Sequence, residues 1–228
     1  MTTIGANLQA VLAHISGIAR NCGRSAKDIH LLAVSKTWPA SCVLAAAEAG
    51  QKAFGENYVQ EGVDKIREIG RSDLEWHFIG PLQSNKTRPV AENFHWVHSV
   101  DRFKVAERLS QQRPDSLPSL QICLQVNISH EETKNGVHED EVMSLARQVA
   151  VLPHLTLRGL MAIPAPTDKS QQRESFQRMR SLFERINKEG LALDTLSMGM
   201  SDDMEAAIAE GSTLVRIGTA IFGERNRS

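Results

Sequence analysis

Short apolar runs alternate with stretches of helical spacing along the whole chain, and this alternation restricts the fold more than any other feature. The runs are Ile29–Ser35, Lys52–Gly55, Leu74–Gly80, His95–Val100, Leu120–Ile128, Thr156–Ile163, Thr195–Met200 and Ser212–Gly218. Between them lie Ala40–Ala49, Gln60–Ile69, Asn85–Asn93, Arg102–Gln111, Asp140–Val151, Gln172–Lys188 and Asp203–Glu210. Gly50, Gly70, Gly190 and Gly211 close four of these helical stretches, and Pro114 and Pro153 stop two more. Alternation at this pitch predicts parallel strands joined by crossover helices. Eight units are the number that closes a (β/α)8 TIM barrel, and a chain of 228 residues falls in its range. An open doubly wound sheet is the alternative. Upstream, Ile4, Leu8, Val11, Leu12, Ile15 and Ile18 form one apolar stripe, which predicts an extra N-terminal helix over residues 3–21. No linker, low-complexity segment or charge block interrupts the pattern, so residues 1–228 read as a single domain.

Composition excludes several classes. The 26 basic and 27 acidic side chains nearly cancel, which argues against a nucleic-acid partner. The three cysteines, Cys22, Cys42 and Cys123, form no CxxC pair and suit a reducing, cytoplasmic compartment. No apolar run approaches the roughly 18 residues needed to span a bilayer. No Lys or Arg precedes Arg20, which argues against a secretory leader. HExxH, EF-hand, GxxxxGK[ST] and GxGxxG patterns are missing, so neither a metal nor a nucleotide is expected.

A barrel carries its site at the C-terminal ends of its strands. The polar residues there are Ser35-Lys36, Glu56-Asn57, Gln83, Ser99–Asp101, Asn127, Ser201 and Gly218-Thr219, with Arg216 just inside the eighth strand. Of nine lysines, Lys36 alone directly ends an apolar strand at that face. An amine in a barrel mouth loses its proton more easily and can then capture an aldehyde; a solvated strand-end lysine is the alternative. Ser201, Gly218 and Thr219 follow strands seven and eight, where such barrels recurrently bind phosphate. Ser201 or Asp202 capping the next helix is the plainer reading of that turn, with Asp202 and Asp203 expected to face outward. Arg216, flanked by apolar residues, must be paired or hydrogen bonded, either to a carboxylate or to a ligand. An aldehyde, a phosphate and a ring nitrogen on one ligand would occupy all three positions, and pyridoxal 5'-phosphate has them. A lysine-dependent aldolase acting on a sugar phosphate would use Lys36 and the phosphate site equally well. His77 reads as a satisfied core histidine. His95 and His98 are three apart on a strand and face opposite sides. Lys134 reads as a solvated residue at the functional rim.

The stretches LLAVSKT (Leu31–Thr37), FGENYVQE (Phe54–Glu61), WHFIGPLQSNK (Trp76–Lys86), RGLMAIP (Arg158–Pro164), MGMSDDMEAAIAEGST (Met198–Thr213) and VRIGTAIFG (Val215–Gly223) closely resemble the pyridoxal phosphate homeostasis proteins, also called the YggS or proline-synthetase-co-transcribed family. The resemblance covers essentially the whole chain. It implies a barrel like the N-terminal domain of alanine racemase. It also implies pyridoxal phosphate held as a Schiff base on Lys36, with phosphate contacts at Ser201, Gly218 and Thr219, Arg216 at the ring nitrogen and Asn57 lining the cofactor. Met161 and His77 match residues near the pocket. The family is thought to buffer the cofactor and deliver it to pyridoxal-phosphate-dependent apo-enzymes, without established turnover. A weak racemase or lyase is the alternative. A racemase of this fold takes a second base from a tyrosine on a further C-terminal domain. The only tyrosine here is Tyr58 and the sequence stops soon after strand eight. A poor catalyst and a monomer are therefore expected.

Overall fold

A computed structural model describes residues 3–129, 131, 135–165 and 167–224. Eight parallel strands close into a barrel in chain order: β1 (His30–Val34), β2 (Ala53–Glu56), β3 (Glu75–Phe78), β4 (Trp96–Val100), β5 (Leu120–Gln125), β6 (Leu155–Met161), β7 (Thr195–Ser197) and β8 (Leu214–Ile217). β8 returns to β1, with Leu32 opposite Arg216 and Ala33 opposite Ile217. Closure leaves no sheet edge, which rules out the open doubly wound alternative. At Gly159 the strands β6 and β7 approach so closely that a side-chain carbon would lie 1.7 Å from the Thr195 carbonyl oxygen, so only glycine fits.

Helices α1 (Ile4–Asn21), α2 (Ala40–Glu48), α3 (Val59–Ile69), α4 (Thr87–Asn93), α5 (Phe103–Gln112), α6 (Val142–Ala150), α7 (Lys169–Lys188), α8 (Met204–Ala209) and α9 (Thr219–Phe222) surround the barrel. The expected N-terminal helix is α1. Thr3 caps it by accepting from the Ala6 N–H at 3.2 Å, and Leu8, Val11, Ile15 and Ile18 bury its stripe against α2, α8 and α9. Two boundaries differ from expectation for identifiable reasons. Residues 84–86 form a separate 3-10 turn, because Pro89 cannot donate to the carbonyl of residue 85 and its ring would strike it. α7 begins at Lys169, where Asp168 accepts from the N–H groups of Ser170 and Gln171; its first buried apolar residue is Phe176, so apolar spacing cannot reveal the start.

Two cores result. The layer between strands and helices is aliphatic and aromatic, including Phe54, Trp76, Phe78 and Phe94. The barrel interior is polar by comparison. A small separate cluster of Trp96, Cys123 and Met161 shares it with His77, His98, Ser197 and Arg216, all buried. Interiors of such barrels are more often filled by branched aliphatic residues. Burial pushes the Cys123 thiol well up, so it packs as an inert group.

Candidate functional site

Strand alternation fixes what faces the barrel mouth. Leu32, Val34 and Lys36 share the inward parity of β1, whereas Ser35 points outward to the helices. Lys36 is half-buried in the turn after β1, followed by Thr37 with a positive φ of 67°. That turn is anchored from behind. Lys65 on α3 donates from Nζ to the Ser35 carbonyl at 2.9 Å, to Glu56 Oε1 at 2.7 Å and to Glu61 Oε1 at 3.0 Å. Ser35 Oγ donates to Glu56 at 2.6 Å, and the Thr37 N–H donates to Glu61 at 2.5 Å. Burial raises the Glu56 pKa, opposed by Lys65 and by the bond from Ser35.

Asn57 is half-buried just past β2, and its Oδ1 is buried with no hydrogen-bond partner among the described residues. Arg216 is buried inside β8. Its Nη1 donates to the carbonyl and hydroxyl of Ser197 at 2.6 and 2.8 Å, and its Nη2 to the Ala162 carbonyl at 2.9 Å. Burial brings its pKa down to about 10, against the attraction of Asp203 and Cys123. These bonds use the two terminal nitrogens and two carbonyls rather than the carboxylate expected of a buried pair. Gly218 and Thr219 open α9, and a side-chain carbon at Gly218 would come within 3.1 Å of the Val34 carbonyl oxygen. Lys36 and Thr219 thus lie on adjacent strand ends.

Ser201 is exposed in the turn after β7. The capping expectation there is corrected. Asp203, not Ser201 or Asp202, occupies the position before α8. Asp203 also does not face outward. It is buried, accepts from the Met200 N–H at 2.5 Å and from Gln172 Nε2 at 3.3 Å, and burial raises its pKa. The local reason is the tight turn after Gly199, whose φ of 100° folds the chain back so that the third turn residue points inward.

Lys36, Asn57, Ser201, Arg216, Gly218 and Thr219 therefore all lie at or beside the ends of β7, β8, β1 and β2. In the closed barrel these four strands are consecutive, so the candidates fall on one arc. Met161 is buried inside the barrel. His77 is a satisfied core histidine, as its sequence context suggests, bonded to Glu75 and His98. It lines a cavity of about 930 Å³ at the opposite, N-terminal mouth, together with Glu75, Trp96 and Arg158. His95 is exposed and accepts from the Trp76 N–H, while His98 is buried inside. Lys134 lies outside the described residues. Sequence reading missed Lys65, Glu61, Ser197 and Glu75. Parity counting from Arg216 could have placed its strand neighbours inside, but nothing marked Lys65.

Comparison with known proteins agrees with this architecture. The family described as alanine racemase, N-terminal domain, matches residues 6–226. The pyridoxal phosphate homeostasis protein of Escherichia coli (strain K12) is 57% identical over 232 residues, covering 100% of this chain and 99% of the relative. The structure of PipY from Synechococcus elongatus PCC7942 with PLP bound is 36% identical, with a TM-score of 0.81 over 93% of this chain and 100% of that one. The alanine racemase of Corynebacterium glutamicum shares the fold at 18% identity, with a TM-score of 0.67 over 96% of this chain and 61% of its own.

Proposed function

The chain belongs to the pyridoxal phosphate homeostasis proteins and carries the alanine racemase N-terminal fold, and from that premise we propose that it binds pyridoxal 5'-phosphate at the C-terminal mouth of its barrel and serves in cofactor homeostasis. The observation that carries this reading is the single arc, at the C-terminal ends of β7, β8, β1 and β2, on which Lys36, Asn57, Ser201, Arg216, Gly218 and Thr219 lie. The residues fit the group. Arg216 is a buried cation whose protein bonds leave its Nε over. Asn57 Oδ1 is a buried acceptor in want of a donor. Gly218 lets the backbone pack closely against Val34, whose carbonyl oxygen would lie 3.1 Å from a side-chain carbon there.

When bound, the cofactor supplies an aldehyde and an electron-withdrawing ring. In this assignment Lys36, in a turn braced by Lys65, would be the amine facing the cofactor's aldehyde. Ser201, Gly218 and Thr219 hold the phosphate with hydroxyl and backbone N–H groups. Asn57 contacts the cofactor from β2. Arg216, a permanent donor at the ring nitrogen, disfavours protonation there and so weakens the ring as an electron sink. That choice of partner suits a carrier better than a catalyst. The chain then holds the cofactor in the cytoplasm as a monomeric single domain and yields it to apo-enzymes, without appreciable turnover of its own.

The test is the near-visible absorbance of purified protein, before and after borohydride, followed by peptide mapping. A band that bleaches, with the added mass on Lys36 and lost in Lys36→Ala, is expected. An adduct on another lysine alone, or a colourless protein that gains no band from added pyridoxal phosphate, overturns the assignment. Lys36-dependent turnover in a broad amino-acid screen would overturn the carrier reading in favour of a weak racemase or lyase.

A further inference from the structure

We propose that His98, His77 and Glu75 are positioning residues for Arg216, joined to it through Ser197 in one directed hydrogen-bond chain that runs through the barrel from the cofactor face to the opposite mouth. The inference rests on the cofactor reading only for what Arg216 is aimed at. The chain itself is present in the fold. Arg216 Nη1 lies 2.8 Å from Ser197 Oγ, which lies 2.9 Å from His98 Nδ1. His98 Nε2 lies 2.9 Å from His77 Nδ1, and His77 Nε2 lies 2.7 Å from Glu75 Oε1. Four strands, β8, β7, β4 and β3, each contribute at least one member.

The ends determine every proton between them. Arg216 can only donate, so Ser197 Oγ accepts from it. Glu75, half-exposed at the far mouth and held ionised by the bond from His77, can only accept, so His77 carries its proton on Nε2. Burial keeps both rings neutral. Neutral His77 then accepts at Nδ1, which puts the His98 proton on Nε2. His98 Nδ1 accepts in turn, and the Ser197 hydroxyl supplies the donor. Each of the three inner groups, Ser197, His98 and His77, makes both of its bonds, and no proton is left over. The opposite direction needs an imidazolium at His77 or His98. It would also give Ser197 two donors and leave its hydroxyl hydrogen facing the barrel wall.

The charged and titratable neighbours agree with this direction. His77 meets Glu75 on its own strand, His98 on β4 and His30 on β1. His98 meets His77 and Arg216. Arg216 meets Asp203 beyond β7 and Cys123 on β5. A second cation inside this ring of groups would be repelled by Arg216 and desolvated as well. Ser197 takes Arg216 at both its carbonyl and its hydroxyl, so the residue that His98 orients is the one that clamps the guanidinium.

The experiment has two arms. The first uses the full chain without cofactor: nitrogen-15 NMR of the ring nitrogens assigns the tautomers at neutral pH. The expected result is the Nε2–H form for both His77 and His98. An Nδ1–H form or an imidazolium at either ring overturns the chain. The second arm uses the loaded chain and measures cofactor release and the position of the absorbance band. His98→Leu removes both bonds. His98→Gln keeps an acceptor for Ser197 and a donor for His77. Release about threefold to tenfold faster in His98→Leu, the range for one misaligned hydrogen bond, with the wild-type rate and band restored in His98→Gln, is expected. If His98→Leu does not fold, Glu75→Leu at the half-exposed mouth serves instead, and must both disturb the His77 tautomer and speed release. Wild-type release and band position in the leucine variants overturn the positioning role. A wild-type chain that takes up no pyridoxal phosphate is seen in the control titration and overturns the cofactor reading, separately from the tautomers.

Discussion

Lys65 reaches out of α3 to hold the backbone carbonyl of Ser35 at 2.9 Å, so the residue immediately before Lys36 is fixed by a buried ammonium. The same Nζ donates to Glu56 and Glu61, and Glu61 in turn accepts the N–H of Thr37. The Lys36 turn is thereby held on both sides by one network, which gives its strained Thr37 conformation a reason to persist.

Lys65→Met tests that brace. Among the described residues it removes the only cation bonded to the fully buried Glu56, whose Oε2 already has no partner there. Breaking a buried pair in this way costs about 3–5 kcal/mol of folding stability. Denaturant unfolding should show that loss. The double variant Lys65→Met with Glu56→Gln should recover a large part of it, because no uncompensated charge is left inside. If the two single variants and the double are all equally destabilised, the pairing is not what matters there.

The buried histidines set a pH dependence. Burial lowers the pKa of His77 and His98 from 6.5, so the unfolded chain takes up protons that the folded chain refuses. Stability contributed by these neutral rings is fully present above about pH 6.5 and is lost as pH falls towards their depressed folded values, by about 1.4 kcal/mol per pH unit for each ring. Thermal or urea unfolding measured between about pH 7 and 5 checks the slope. His98→Gln, which cannot titrate, should remove one histidine's share of it, and an unchanged slope would mean that His98 is already charged in the fold.

Gly80 is a backbone requirement for the site at a distance from its chemistry. A side-chain carbon there would lie 2.0 Å from the Asn57 carbonyl oxygen and 2.7 Å from its Cα. Gly80→Ala must therefore push the β2 end outward, at about 1–3 kcal/mol for a forced overpacking. Weaker retention of pyridoxal phosphate is expected alongside the lower stability, with secondary structure by circular dichroism unchanged. Retention equal to wild type would separate Asn57 from the binding surface.

The barrel was legible because its signal is redundant: eight apolar runs with seven helical stretches between them, six of which have their own glycine or proline stop. The site arc was legible because Lys36 and Arg216 are polar residues at the ends of, or inside, otherwise apolar strands. What stayed hidden depended on direction and not on type. Asp203 sits in a turn whose reversal at Gly199 turns its side chain inward, and one-dimensional spacing does not encode that reversal. Lys65 lies on a helix whose outward-looking charges hide one that points in. Ser197, His98 and His77 are unremarkable singly and acquire meaning only when closure of the barrel sets β3, β4, β7 and β8 around one interior.

Arg216 carries the most specific test of that interior. Its three bonds diverge, with Nη1 towards Ser197 and Nη2 towards the Ala162 carbonyl. A lysine keeps the charge but places its donors on a single atom, which cannot serve both strands with the guanidinium's geometry. Arg216→Lys is therefore expected to lose about 1–3 kcal/mol of stability through the buried carbonyl left unpaired. It should also lose cofactor retention through the missing donor at Nε. Equilibrium unfolding reads the first and dialysis of the loaded protein reads the second. The two losses have different origins, so a destabilised variant that still retains pyridoxal phosphate at the wild-type level would leave Arg216 as a structural tie between β6, β7 and β8 and remove it from the cofactor site.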